Sequence, residues 1–419
     1  MPGRERILRA LRHDDGPVPI DLGGTGVTSM HASCVEALRC RFGLEQRPVK
    51  IVEPFQMLGE IEPDLCACLG SDAIGISGRT TLFGFANEGW REWRAPWGQV
   101  VLVPEGFRVR RDAAGDVFVY PGGDETLEPS GHMPAGAYFF DCVSRQQPLD
   151  YDRLDPEDNC EEFVPISALD VAHWRSEVAR VKGDPHAVVA SFGGTGFGDI
   201  ALVPGPFLAR PRGIRDVSEW YMALVENRDY VHAVFTRQCE VALKNLAVFA
   251  EIAGDVVDVL FVCGTDFGTQ TSQFCSAATF EELYAPYYRR VNAWVHAHTR
   301  WKTFKHCCGA IRPLIPNFIE AGFDVLNPVQ CSATGMEPKG LKRDFGDRIV
   351  FWGGGVDTQK TLPFGTPEQV RREVEERLRV FGAGGGFVFN TVHNIQARTP
   401  VENIVAMLET VHAFNRAGG

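Results

Sequence analysis

A chain of 419 residues is long enough for one large domain or two ordinary ones, and its 44% apolar and 23% charged residues are ordinary globular usage. A formal net charge of −12 excludes the broad basic face of a general nucleic-acid binder. No apolar run approaches the ~20 residues of a membrane-spanning helix.

The opening residues, MPGRERILRALRHDDGPVP, hold Glu5, Asp14 and Asp15 and no apolar centre, so they read as a short surface helix rather than an export signal. Twelve cysteines in a chain without such a signal read as the reduced thiols of a cytoplasmic protein. Short β-branched or aromatic runs then alternate with helical patterns, which predicts a parallel sheet covered by helices. Eight strands are predicted: Val18–Leu22, Ala73–Ser77, Ala187–Phe192, Val256–Val262, Trp301–His306, Asp324–Asn327, Ile349–Trp352 and Phe387–Asn390. The long helical patterns are Met30–Phe42, Tyr230–Ala253, Thr279–Thr299, Arg312–Ala321, Pro367–Phe381 and Pro400–Phe414. Thr366-Pro367-Glu368 and Thr399-Pro400 place a capping hydroxyl before a first-turn proline.

This alternation predicts an α/β fold, a single (β/α)8 TIM barrel over residues 1–419 with an N-terminal extension. Residues 79–165 are rich in Gly, Pro and Trp, with hairpin-like alternation at Gln99–Val103, Arg108–Arg110 and Val117–Tyr120. They read as a β-rich insertion after the second strand. It is either a lid over the barrel mouth, with Trp90, Trp93 and Trp97 as its aromatic surface, or an excrescence packed on the barrel.

In such barrels chemistry sits at the carboxyl ends of the strands. That rule selects Asp21 after the first strand, Asp266 and Gln270 after the fourth, and His306 and Cys308 after the fifth. It selects Asn327 and Gln330 after the sixth, Asp357 and Gln359 after the seventh, and Asn390 and His393 after the eighth. Imidazole and thiolate are zinc donors, and one intervening residue at a strand exit turns His306 and Cys308 to the same side. A catalytic zinc usually needs a third protein ligand and an open position. His393 is the leading candidate, with Cys263, Cys331 and Asp266 as alternatives. Asp266 also reads as a general base or as a partner orienting a ligand imidazole. Asp21, Gln270, Asn327, Gln330, Asp357 and Asn390 are expected to line a small-molecule site. The Gly-rich runs at 23–26, 193–198 and 382–386 lack the strand–GxGxxG–helix order and read as turns.

The segments FKHCCG, IPNFIEAGFDVLNPVQ, FGDRIVFWGGGVDTQ, GGGFVFNTVHNI and TPVENIVAM resemble the uroporphyrinogen decarboxylase superfamily, and within it the cobalamin-dependent methyltransferases. RERILRALR, VPIDLGG, CGTDFGTQ and FEELYAPYYRRV extend the resemblance over most of the chain outside 79–165. It implies a (β/α)8 barrel and a zinc held by an HxC pair and a distant cysteine. It also implies a separate corrinoid protein carrying methylcobalamin. The pair falls on His306 and Cys308. The distant cysteine falls near His393, so this chain departs from the pattern there. With one thiolate and two neutral imidazoles Zn²⁺ keeps a net positive charge that two thiolates would cancel, which makes it the stronger Lewis acid. That favours polarising the oxygen of a methoxylated compound, with methylthio or methylamine substrates and a thiol acceptor as variants. The alternative is a metal-free lyase or decarboxylase with Asp72 or Asp21 as the acid. Against it, PVPIDLGGTGVTSM lacks the arginines that bind porphyrinogen carboxylates in the true decarboxylases. A barrel retained as a binding subunit would show a blocked mouth.

Overall fold

Seven short β-branched and aromatic runs pair in parallel in the computed structural model, which describes residues 1–418. They are β1 (Ala73–Ser77), β2 (Ala187–Ser191), β3 (Val259–Cys263), β4 (Lys302–His306), β5 (Val325–Asn327), β6 (Val350–Trp352) and β7 (Phe387–Val388). They lie side by side in sequence order, the arrangement that helical crossovers produce. Most of their residues are buried, as expected of parallel strands covered on both faces, although β4 carries Lys302, Thr303, Lys305 and His306.

The expected first strand forms only a single bridge, Ile20 to Phe389. Pro17 and Pro19 have no amide proton to give to a ladder. The segment nevertheless bonds to both edges of the sheet. Phe389 N–H donates to Pro19 O (2.8 Å), Asp21 N–H donates to Phe389 O (2.9 Å), and Asp72 N–H donates to Ile20 O (2.6 Å). The result is a curled seven-stranded sheet with residues 19–21 across its gap.

Pro367–Phe381 forms as expected, its Thr366 hydroxyl taking the Gln369 amide in a capping box. The expected helix Thr279–Thr299 is two, Ala277–Leu283 and Ala285–His298. Pro286 lacks the amide that would continue the first into the second.

Helix Gly3–Leu11 lies across the amino ends of the strands. Its Ile7, Ala10 and Leu11 pack against an interior layer that includes Val189, Val259, Phe304, Val325, Val350, Trp352 and Val388. Arg6 Nε donates to Asp72 (3.0 Å), and Arg4 Nε donates to Asp258 (3.0 Å), so the helix is fixed by charge as well as by apolar burial.

Two four-stranded sheets stand beside this body. One joins Leu58–Gly59, Val49–Glu53, Val100–Val103 and Arg91–Arg94; the other joins Val109–Arg111, Val117–Val119, Gly131–Met133 and Asp141–Cys142. Strands 49–53 and 58–59 precede β1 and were not expected from sequence. Trp93 and Trp97 pack against the core rather than facing outward. His132 pairs with Asp116 (2.7 Å), and His173 meets Ser77 O (2.9 Å).

His31 ties these sheets to the body. Its Nε2–H donates to Tyr138 O (3.1 Å), its Nδ1 accepts the Ser33 amide (3.1 Å), and its ring lies 4.9 Å from that of Trp97. Burial pulls its pKa down to about 4. A histidine in the unfolded chain takes a proton near pH ~6.5. His31's contribution is therefore full above that pH and is lost as pH falls toward 4. Unfolding titrations at pH 7.5 and pH 5.0 should show wild type losing about 2 kcal/mol more than His31→Gln over that interval. Equal losses would remove His31 as the origin.

Candidate metal centre

On β4 Phe304 faces the interior layer, so His306, two residues on, faces the same way. Lys305 and Cys307 face the opposite side. The Lys305 ammonium, wholly buried, donates to Thr265 O (2.5 Å) and His306 O (2.6 Å) beside the rings of Phe267 and Phe318. Cys307 Sγ accepts the Phe267 amide (3.1 Å). The chain then turns at Gly309, where φ is +90° and a Cβ would come within 2.4 Å of Gly268. Only glycine fits that close approach. The Cys308 amide between them donates to Asp266 Oδ1 (2.6 Å).

The orientation of the His306 ring is decided on β5. Asn327 Nδ2 donates to Trp352 O (2.7 Å), which leaves its Oδ1 to accept from His306 Nδ1–H (2.6 Å). Asn327 is fully buried and has no other orientation that satisfies both neighbours. The proton is thus on Nδ1, and the Nε2 lone pair is free. Nε2 lies 3.5 Å from Cys308 Sγ and 3.9 Å from Asp266 Oδ1, and the His393 ring centroid is 5.1 Å from that of His306. One donor atom from each of His306, Cys308 and His393 falls within 4.8 Å of the others. Both imidazoles are held neutral by burial, His306 at about 4. Burial, reinforced by the Asp266 charge, keeps the Cys308 thiol well above its ordinary range. Two neutral imidazoles and a thiol that ionises on binding a cation are a donor set suited to zinc.

His393 has φ +69°, a left-handed backbone uncommon for a residue with a Cβ. The Thr391 hydroxyl donates to its carbonyl, and the next residue, Asn394, donates to Gly26 O (3.2 Å) and Gln56 Oε1 (2.9 Å).

Of the other expected residues, Asp266 stands against the donor set, with its side chain 28% exposed. Gln330 and Gln270 bond to each other (2.8 Å), and Gln270 is exposed at the rim. Asp21 is fully buried, accepting from Gly24 N (2.8 Å) and Trp352 Nε1 (2.9 Å), and burial raises it to about 6. Asn390 donates to Asp21 O (2.7 Å), while its Oδ1 is buried without a partner. Asp357 receives the amides of Gln359 (2.6 Å) and Lys360 (2.9 Å) as a local cap. Cys263 and Cys331 lie outside the donor group. Asp72 precedes β1 and is paired with Arg6, at the end of the sheet opposite His306. Asp199 went unnoticed in the sequence because it lies eight residues past the end of β2, beyond a Gly-rich turn. It accepts the Ala201 amide (3.0 Å), and burial raises it to about 6, with the Asp266 charge adding to the shift.

A model of the uroporphyrinogen decarboxylase (URO-D) family matches residues 200–414, about half of the chain. The chain belongs to the uroporphyrinogen decarboxylase family. It is 35% identical over 89 residues to uroporphyrinogen decarboxylase of Psychromonas ingrahamii, covering 20% of this chain and 24% of that protein. It is 35% identical over 91 residues to that of Serratia proteamaculans, covering 20% and 25%. These matches span about a quarter of each relative's length. Among solved structures, a methyltransferase from Methanosarcina mazei is similar over 99% of both chains, with a TM-score of 0.55 and 14% identity, a likeness of fold.

Within this family member, Asn327→Leu removes the partner of both Trp352 O and His306 Nδ1–H. Each buried group left unpaired costs about 1–3 kcal/mol. Denaturant unfolding of the metal-free protein should show a loss of about 2–6 kcal/mol. A loss no larger than that of an exposed Asn→Leu change would contradict the assigned bonding.

Proposed function

We propose that this protein is a zinc-dependent methyltransferase that works with a corrinoid protein, demethylating a methoxylated small molecule. The observation that carries the reading is the meeting of His306, Cys308 and His393 donor atoms at the strand exits, with the His306 lone pair left free. The whole-length likeness to a methyltransferase fold supports it. Residues 1–419 are read as one (β/α)8 barrel, with 19–21 standing where the first strand would close it and 79–165 as a β-rich insertion whose Trp93 and Trp97 pack on the body, in a cytoplasmic protein.

His306, Cys308 and His393 would hold the metal. Bound there, Zn²⁺ supplies Lewis-acid polarisation of a substrate heteroatom in its open position. Asp266 is read as the carboxylate that would exchange a proton with the substrate heteroatom, returning one to the leaving oxygen of a methoxylated compound or taking one from a thiol, while it also fixes the Cys308 amide. Gln270 and Asp357 are assigned to the substrate-facing rim. Asn327, Asp21 and Asn390 bear on the substrate only through the groups they hold. A corrinoid partner in the cob(I)alamin state would accept the methyl group and become methylcobalamin, leaving the demethylated oxygen compound; methylthio or methylamine donors, or a thiol accepting methyl from methylcobalamin, are the variants.

A metal-free lyase is the second reading, favoured by the activity named for the curated relatives. The pairing of Asp72 with Arg6 at the far end of the sheet removes one of its two candidate acids and leaves the buried Asp21.

Elemental analysis of the purified protein should find about one zinc per chain, absent from Cys308→Ala and His393→Ala. The loaded protein should then transfer methyl from a methoxylated aromatic to free cob(I)alamin. Absence of metal after zinc supplementation would sink this reading in favour of the lyase. Zinc without any methyl transfer would leave the metal centre standing and reject the methyl chemistry.

A further inference from the structure

Three strand exits meet at one buried carboxamide, that of Gln330. Its Oε1 accepts the Gly309 amide (2.9 Å) and its Nε2 donates to Gln270 Oε1 (2.8 Å), so the carboxamide is engaged at both its oxygen and its nitrogen. The side chain is 3% exposed. Sequence alone places Gln330 among substrate-facing residues; in the structure it has turned away into the protein.

The bond lands on a sensitive point. Cys308 lies in a turn whose amides have left the β-ladder. The amide of Cys308 is held by Asp266, and that of Gly309 by Gln330. Two consecutive peptide groups around the thiol are therefore fixed by side chains from the exits of β3 and β5. Gln330 is itself presented by a costly backbone. Val329 has φ +58° and is fully buried. A β-branched residue there is strained, and such strain persists only where the surroundings enforce it. The Gly353–Gly354 turn does so, lying so close that a Cβ at Gly354 would sit 2.8 Å from Val329 O.

We propose that Gln330 is a positioning residue for Cys308. It clamps the Gly309 amide so that the sulfur faces His306 Nε2 and His393. This rests on the metal-centre reading for its purpose, though the clamp can be measured without metal. A partner that orients a metal ligand is commonly worth 10–100-fold in affinity.

The test uses the full-length protein with Gln330→Leu and Gln330→Glu. Leucine removes the acceptor. Glutamate keeps an oxygen for the Gly309 amide, loses the donation to Gln270 and adds a buried carboxyl group, so its exchange rate rather than its metal affinity is the cleaner readout. In metal-free protein, hydrogen exchange over residues 307–311 should quicken about tenfold in the Leu variant and stay near wild type in the Glu variant. In cobalt titrations the Leu variant should bind roughly 10–100-fold more weakly. Its thiolate-to-cobalt charge-transfer band should weaken, with Cys308→Ala as the reference lacking it, and Gln330→Glu should restore both. Unchanged exchange in the Leu variant, or equal quickening in both variants, overturns the clamp. A Leu variant with quickened exchange but normal cobalt affinity and band shows that the turn does not govern Cys308, and overturns the proposal. Should the Leu variant fail to fold, the Glu variant decides: wild-type exchange supports the clamp and quickened exchange overturns it. Cobalt refused by wild type itself rejects the metal reading, while the exchange data still decide the clamp.

Discussion

The in-register pairing of His306 with Asn327 between β4 and β5 is the contact from which the rest of the site follows. Parallel strands paired in sequence order end at one rim, so residues distant in the chain become neighbours there. At this pair the last residue of one strand meets the last of the next, and a carboxamide meets an imidazole. Because Asn327 is itself bound to Trp352 O, three consecutive strands settle the position of one proton. A slip of one residue between the two strands would turn one of these side chains to the other face and break the pair.

Much of this was legible in the sequence, for identifiable reasons. Strand runs bounded by turns located β1 to β7 within a few residues, because most of these buried parallel strands are dense in Val, Ile and Phe, β4 being the polar exception. The HxC spacing gave the facing of His306 and Cys308, because alternation along a strand is a local rule. Non-local facts were less accessible. Strand 49–53 pairs with 58–59 on one side and draws its other partner, Val100–Val103, from beyond residue 90, and nothing in its own composition names that partner. His393 reaches the group through a left-handed backbone that no spacing rule predicts. Gln330, Asp21 and Asn390 sit at strand exits as expected, yet spend their polar groups inside the protein. The exit rule identifies the rim and not the direction in which a side chain leaves it. Lys305 lies among aromatic rings and carbonyl oxygens, a burial that tertiary structure alone makes tolerable.

The groups that steer the donor set are mostly uncharged. Asn327 addresses His306, Gln330 the turn of Cys308, and Asn394 the segment of His393. Carboxylates often fill such places and raise the basicity of the imidazole they hold. Carboxamides give the direction without the charge. The exception is Asp266, which grips the Cys308 amide and lies 3.9 Å from His306 Nε2. One acid beside an otherwise neutral set gives the site a polarity with a definite side, on which a positive or proton-bearing group is best accommodated.

Helix Gly3–Leu11 closes the amino end of the strands with Ile7, Ala10 and Leu11 and two arginine–aspartate pairs. The two ends of the strands thus divide their labour. The amino end carries the apolar contacts and ion pairs that hold the sheet together, and the carboxyl end, where His306, Cys308 and His393 meet, is relieved of that task. A change at the plug should therefore be felt in stability and one at the opposite rim in chemistry.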